Sequence, residues 1–161
     1  MTTQKTREVQ VVGVNELDLS KSFVVWGKVG HGTQSRLLEK FSDPDYHVCI
    51  IRTPIVDVID FMSLPVLGQE PALPKWILDL NQIRVEGQKK IVLIFDEINL
   101  ANSAGVDIFE QAVQYRTLVG VKLAPSDIII ATGVLDGSGD CRETLVSEDV
   151  MDSINHYTLT R

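Results

Sequence analysis

The stretch Trp26-Gly27-Lys28-Val29-Gly30-His31-Gly32-Thr33-Gln34-Ser35 decides how the rest of the chain is read. It follows a short apolar run, Phe23 to Trp26, and leads straight into Leu37, Leu38 and Phe41, whose spacing predicts a helix. A strand, a glycine-rich turn and a helix start are the parts of an anion-binding loop. Glycines let the backbone come close, while the first N–H groups of the helix and its dipole converge on one spot. The frame suits a phosphate. The plainer alternative is a tight turn that only packs a helix against a strand.

A working phosphate loop of the Walker A kind reads G-x-x-x-x-G-K-[ST]. Here Gly27, Lys28, Val29, Gly30, His31 and Gly32 supply the frame, but Thr33 stands at the lysine and Gln34 at the hydroxyl that holds Mg²⁺. Losing that lysine removes a charge-assisted contact worth on the order of 1.5–3 kcal/mol, enough to weaken ATP binding by one to two orders of magnitude. Lys28 offers a substitute from inside the loop, approaching from a different backbone position. His31 either donates to a phosphate or is simply an exposed loop histidine.

Three further apolar runs, Val48 to Ile51, Ile91 to Phe95 and Ile128 to Ala131, are short, rich in valine and isoleucine, and do not alternate. Such runs fit parallel strands covered on both faces. Between them lie helical stripes: Trp76, Ile77, Leu80 and Ile83 after Pro74, then Val106, Phe109 and Val113 with Asn102 or Ser103 to cap them. Alternating strand and helix predicts a wound α/β sheet. Ile154 to Leu159 alternates and reads as a terminal strand at or near an edge. Pro65, Pro71 and Pro74, with Gly68, mark a long irregular connection after Met62, which is either functional or a plain crossover.

The second chemical signal is Ile91-Val92-Leu93-Ile94-Phe95-Asp96-Glu97, an apolar strand ending in two carboxylates. At the carboxyl edge of a parallel sheet these acids would face the same crevice as the glycine loop. Asp96 is then placed to hold Mg²⁺, and Glu97 to orient or deprotonate an attacking water. Two acids after a strand also serve as an ordinary solvated turn.

Composition sets the outer limits. A length of 161 residues with 44% hydrophobic content fits one domain with a substantial core. The net charge of −7 and pI near 4.9 disfavour general adhesion to nucleic acid or anionic membrane. Apolar runs fall far short of the ~20 residues that span a bilayer, and the first ten residues hold no apolar signal core, so an intracellular, cytoplasmic location is expected. Cys49 and Cys141 form neither a disulfide framework nor a metal cluster, and Cys49 reads as a small buried hydrophobe. His47 and His156 read as flanking strands, Arg116 as an exposed helix end or a group crossing a subunit boundary, and Asp136 to Asp140 as a turn rather than a calcium loop.

The stretch Phe95-Asp96-Glu97-Ile98-Asn99-Leu100-Ala101-Asn102 resembles the Walker B region of AAA+ ATPases in the MoxR, McrB and midasin group. Asp60-Phe61-Met62-Ser63-Leu64-Pro65 with Pro74 to Ile77 resembles the segment these proteins place between their second and third core strands. Phe109-Glu110-Gln111, Tyr115-Arg116, Gly120 to Leu123 and Ile128 to Gly133 resemble the segments that MoxR-like proteins carry after Walker B. The likeness covers roughly residues 20–160 and implies a P-loop NTPase fold of AAA+ type: a three-layer sandwich with a mainly parallel five-stranded sheet. The whole of 1–161 would be one such core, with 1–19 as an N-terminal extension.

Departures from the family pattern point away from efficient catalysis. Val134 stands where the family has its sensor 1 asparagine, and Asp152-Ser153-Ile154 stands where an arginine finger is expected. Such a finger is worth ~10³–10⁵ in turnover in related NTPases. The chain stops at Arg161, before the helical lid of full AAA+ proteins. The resemblance therefore implies a degenerate core that binds a protein partner, takes ATP or ADP with Mg²⁺ weakly, and hydrolyses slowly or not at all. Its size suits a phage or mobile-element protein acting as a monomer or small oligomer, with a hexamer as the family's alternative. An active ATPase completed by a partner's arginine and a purely structural assembly protein are the competing expectations.

Overall fold

The computed structural model describes residues 7–61, 67–70, 72–141 and 144–160. Met62 to Pro65 and Pro71, to which the sequence reading assigned part of the family likeness and of the long connection, lie outside the described residues, as does Arg161.

Six strands make one sheet in which every pairing is parallel: β1 (Gln10–Val12), β2 (Phe23–Gly27), β3 (Tyr46–Arg52), β4 (Lys90–Asp96), β7 (Ile128–Val134) and β8 (Asn155–Leu159). Their order across the sheet is β1-β8-β2-β7-β4-β3. The short β5 (Thr117–Leu118) and β6 (Val121–Lys122) form a separate antiparallel hairpin. All four apolar runs are strands, so the predicted wound α/β sheet stands, with six strands in place of five. The extra one is β1, whose three residues are too few to show a periodicity. It pairs with β8 through Gln10 and Tyr157, so the last strand lies one place in from the edge.

Helices cover both faces. On one, Leu37 from α1 (Thr33–Lys40), Phe41 just past its end and Leu17 from the N-terminal segment pack with Phe23, Val25, Val92, Ile94 and Ile130. On the other, α2 (Lys75–Glu86), α3 (Ser103–Tyr115) and α4 (Glu148–Ser153) pack Ile77, Leu80, Phe109 and Met151 against Val24, Leu93 and Phe95. Successive side chains of each strand alternate between these two cores, which is why the runs show no polar face. The result is the expected three-layer sandwich. Leu38, read as part of the α1 stripe, is exposed, and β3 is half-buried because it forms the open edge of the sheet. Asn102 caps α3 by accepting from the Gly105 N–H at 2.8 Å, and Gly105 lets that helix approach the Thr53 backbone, where a Cβ would clash. Among the described residues no helix is long and apolar enough to cross a membrane.

Candidate functional site

The glycine loop begins where β2 ends. The Gly27 carbonyl accepts from the Leu135 N–H at 2.9 Å, which ties the loop to the end of β7, and the His31 N–H donates to the Lys28 carbonyl at 3.1 Å to close a turn. Gly30 and Gly32 have φ of +81° and +66°, a backbone that side chains disfavour. Helix α1 starts at Thr33, and the bond from the Arg36 N–H to the Gly32 carbonyl, 3.0 Å, closes its first turn. The amides of Thr33, Gln34 and Ser35 lie ahead of that bond, without intrahelical acceptors, and no side chain caps the helix. The loop is wound tightly: a Cβ on Gly27 would overlap the Thr33 hydroxyl, so the side chain at the lysine position lies over the first glycine. Lys28, Val29, Gly30, His31 and Gly32 are exposed, while Thr33 and Gln34 are half-buried.

The acid pair closes β4. The Thr132 hydroxyl, on β7, donates to Asp96 Oδ1 at 2.6 Å and accepts from the Glu97 N–H at 3.0 Å. The Thr53 hydroxyl donates to the Asp96 carbonyl at 2.8 Å. This leaves Asp96 one carboxylate oxygen that takes no bond from Thr132. Glu97 is exposed and sits at φ +58°, ψ +46°, a left-handed conformation that is uncommon without glycine and concentrates at functional turns. Two residues on, Asn99 accepts from the Val134 N–H at 2.9 Å, and its Nδ2 is buried without a partner. The Val134 backbone is thus held by a polar side chain, but the valine side chain has nothing with which to orient water.

Strand order brings the two signals together. β7 lies between β2 and β4; Gly27 pairs with Val134 on one side of it, and Phe95 pairs with Ala131 on the other. Gly27 and Asp96 therefore end at the same carboxyl edge, flanking Thr132 to Val134. That edge is where open α/β sheets bind ligands. The free helix amides and positive-φ glycines fit a phosphate group. For a divalent cation the fit is poorer: among the described residues no three His, Cys, Asp or Glu side chains converge on one point. A Mg²⁺ ion would have to arrive with phosphate oxygens as ligands and use Asp96.

Other residues are placed differently from the sequence reading. Arg116 is neither an exposed helix end nor a group reaching out of the subunit. It is half-buried, at φ +52°, and its Nη2 donates to the Ala124 and Asp127 carbonyls at 2.7 and 2.8 Å. His47 and His156 lie within β3 and β8 rather than beside them. His156 is buried: its Nδ1 accepts from the Trp26 indole N–H at 3.1 Å, and its Nε2 lies 2.7 Å from the Met151 carbonyl. Just before β8, Asp152 pairs with Arg7 at 3.5 Å, so an arginine does reach this region, from the other end of the chain. Asp136 is spent within its own turn, accepting from the Ser138 hydroxyl and the Ser138 and Asp140 amides. Cys49 is half-buried and packs on the core, with burial pushing its thiol pKa up.

No family model and no curated protein matches the sequence. Solved structures do match. Hsp104, determined with ATPγS and FITC casein, superposes with a TM-score of 0.55 at 15% identity over 86% of this chain and 28% of its own. A proposed ATPase from Cytophaga hutchinsonii matches at 0.49 and 15% identity over 89% of this chain and 42% of its own. PCH-2 from C. elegans matches at 0.45 and 15% identity, over 90% and 36%. The chain thus spans less than half the length of each. Together with the all-parallel sheet and its helices on both faces, the Hsp104 likeness identifies the fold as that of a P-loop NTPase of AAA+ type.

Proposed function

We propose that this chain is a degenerate AAA+ core of the MoxR, McrB and midasin kind, acting as a protein-binding or regulatory pseudo-ATPase that holds nucleotide weakly and hydrolyses it slowly or not at all. One observation carries the reading. The backbone frame for a phosphate is complete at the carboxyl edge, while the side chains that would add charge or orient water there are Thr33, Gln34 and Val134. Backbone amides bind ground-state phosphate, but charge that develops in the transition state needs the missing lysine and finger. Binding therefore outlasts turnover when those groups go.

The residue roles follow from this reading. Gly27 to Gly32, with the amides of Thr33 and Gln34, cradle the phosphates, and Lys28 is the one lysine or arginine within the loop. Asp96, held by Thr132, would ligate Mg²⁺, which when bound neutralises phosphate charge. Glu97, held by the same hydroxyl through its amide, is the group placed to orient water. That shared hydroxyl is also what favours the second reading, an ATPase completed by an arginine from a partner, since it ties the Asp96 carboxylate to the backbone that carries Glu97.

Calorimetric titration with ATP and Mg²⁺, together with turnover assays of the wild type and Glu97→Gln, separates the readings. The proposal expects weak saturable binding and wild-type turnover that is slow or absent. Efficient turnover abolished by Glu97→Gln would establish the active enzyme instead. Absence of any binding would leave a structural assembly protein.

A further inference from the structure

A cavity of about 300 Å³ opens at the amino edge of the sheet, the end opposite the glycine loop and the acid pair. Its walls come from five places in the chain: the residues before β2, the first residue of β3, the first of β4, the end of α3, and the turn leading into β7. In volume it lies at the lower end of the range of small-molecule pockets.

Its charge is opposite to that of the molecule. The whole chain has 15 lysines and arginines against 22 acids. The cavity is lined by three cations, Lys21, Lys90 and Arg116, and by one acid, Asp127. That acid is already neutralised: its side chain is fully buried, accepts from Arg84 Nε at 3.1 Å and from the Ala124 N–H at 3.0 Å, and pairs with the Arg84 guanidinium. Arg116 is anchored by its two carbonyl contacts and cannot swing away. Lys21 and Lys90 are exposed at the mouth. Asp18, bonded to Ser20, is the acid whose charge interacts with Lys21, and it lies outside the lining. Ser22, Ser126 and Tyr46 add hydroxyl groups, while half-buried Leu19 and exposed Pro125 supply apolar surface.

We infer that this cavity binds a small organic anion, with a phosphate or carboxylate head on the lysines and hydroxyls and a compact apolar body against Leu19 and Pro125. Lysines suit such a head as mobile point charges, and the fixed Arg84–Asp127–Arg116 cluster keeps the wall rigid around it. The site is independent of nucleotide binding at the other edge.

Amide NMR titration with phenyl phosphate, and in parallel with benzoate, tests this. Saturable shifts are expected at Lys21, Ser22, Lys90 and Ser126 to Ile129, with the tighter of the two probes identifying the preferred head group. Lys21→Gln/Lys90→Gln, at exposed positions that leave the fold intact, should weaken binding about tenfold or more, as loss of charge-assisted contacts requires. Lys28→Gln in the glycine loop should leave it unchanged. The inference is overturned if neither probe gives saturable shifts at millimolar concentration. Shifts centred on Gly27 to Gln34, or binding that survives the double substitution, would overturn it equally.

Discussion

Replacing Thr132 by valine removes one hydroxyl from β7 while keeping its shape and its β-branched fit to the strand. Thr132 is 6% exposed, and its oxygen serves both halves of the acid pair, donating to Asp96 and accepting from the Glu97 N–H. A hydrogen bond to a charged group is worth about 1.5–3 kcal/mol, and a buried amide left unpaired costs about 1–3 kcal/mol. Asp96 is only half-buried, so water replaces part of its lost contact. The net destabilisation should be about 1–3 kcal/mol. With roughly 2.1 cal/mol/K of unfolding entropy per residue, a chain of this length has an unfolding entropy of about 0.34 kcal/mol/K, so the melting temperature should fall by ~3–9 °C. Urea denaturation and calorimetry of Thr132→Val measure this, with Thr132→Ser as the control that restores the hydroxyl. Nucleotide affinity in the presence of Mg²⁺ should fall further than affinity without it, because Asp96 loses its orientation. A valine variant within about 0.5 kcal/mol of wild type would show that the hydroxyl does not organise the acids, and the roles assigned to Asp96 and Glu97 would lose their physical basis.

Gly133→Ala should destabilise the protein by about 1–3 kcal/mol, as overpacking does, because the new Cβ would collide with the buried Trp26 ring; a shift in the urea midpoint with a change in tryptophan emission checks it. Stability should also depend on pH through His156. Burial holds its imidazole below the ordinary pKa of 6.5; Arg7 acts in the same direction, and Asp152 and the Met151 carbonyl oppose it. The unfolded chain binds the proton more readily, so stability is flat above about pH 6.5 and declines as pH falls below it toward the folded-state value. Unfolding curves at neutral and mildly acid pH should show this slope in the wild type and lose it in His156→Gln. An imidazole titration at or above the ordinary range would contradict the buried arrangement.

Much of the architecture was legible because it is written in local residues. Continuous valine and isoleucine runs suit strands covered on both faces, and they located β2, β3, β4 and β7. Pro74 and Asn102 marked where α2 and α3 begin, since each suits a helix start for a local reason. β1, α4 and the β5–β6 hairpin were missed because segments of two to six residues carry no readable period. The glycine loop and the acid pair were recognisable, as were the substitutions at Thr33, Gln34 and Val134, and the rule that parallel sheets gather loops at the carboxyl edge already led both signals to be expected at one crevice.

Taken alone, then, the sequence determined the α/β class, the residue types at the loop and the acids, and the charge that is absent from them. Which strands are neighbours was decided only in three dimensions, because ladder hydrogen bonds join residues far apart in the chain and leave no trace in local composition. The insertion of β7 between β2 and β4, the Thr132 hydroxyl that links Asp96 to Glu97, the inward turn of Arg116 and the cationic cavity at the amino edge are all products of that pairing.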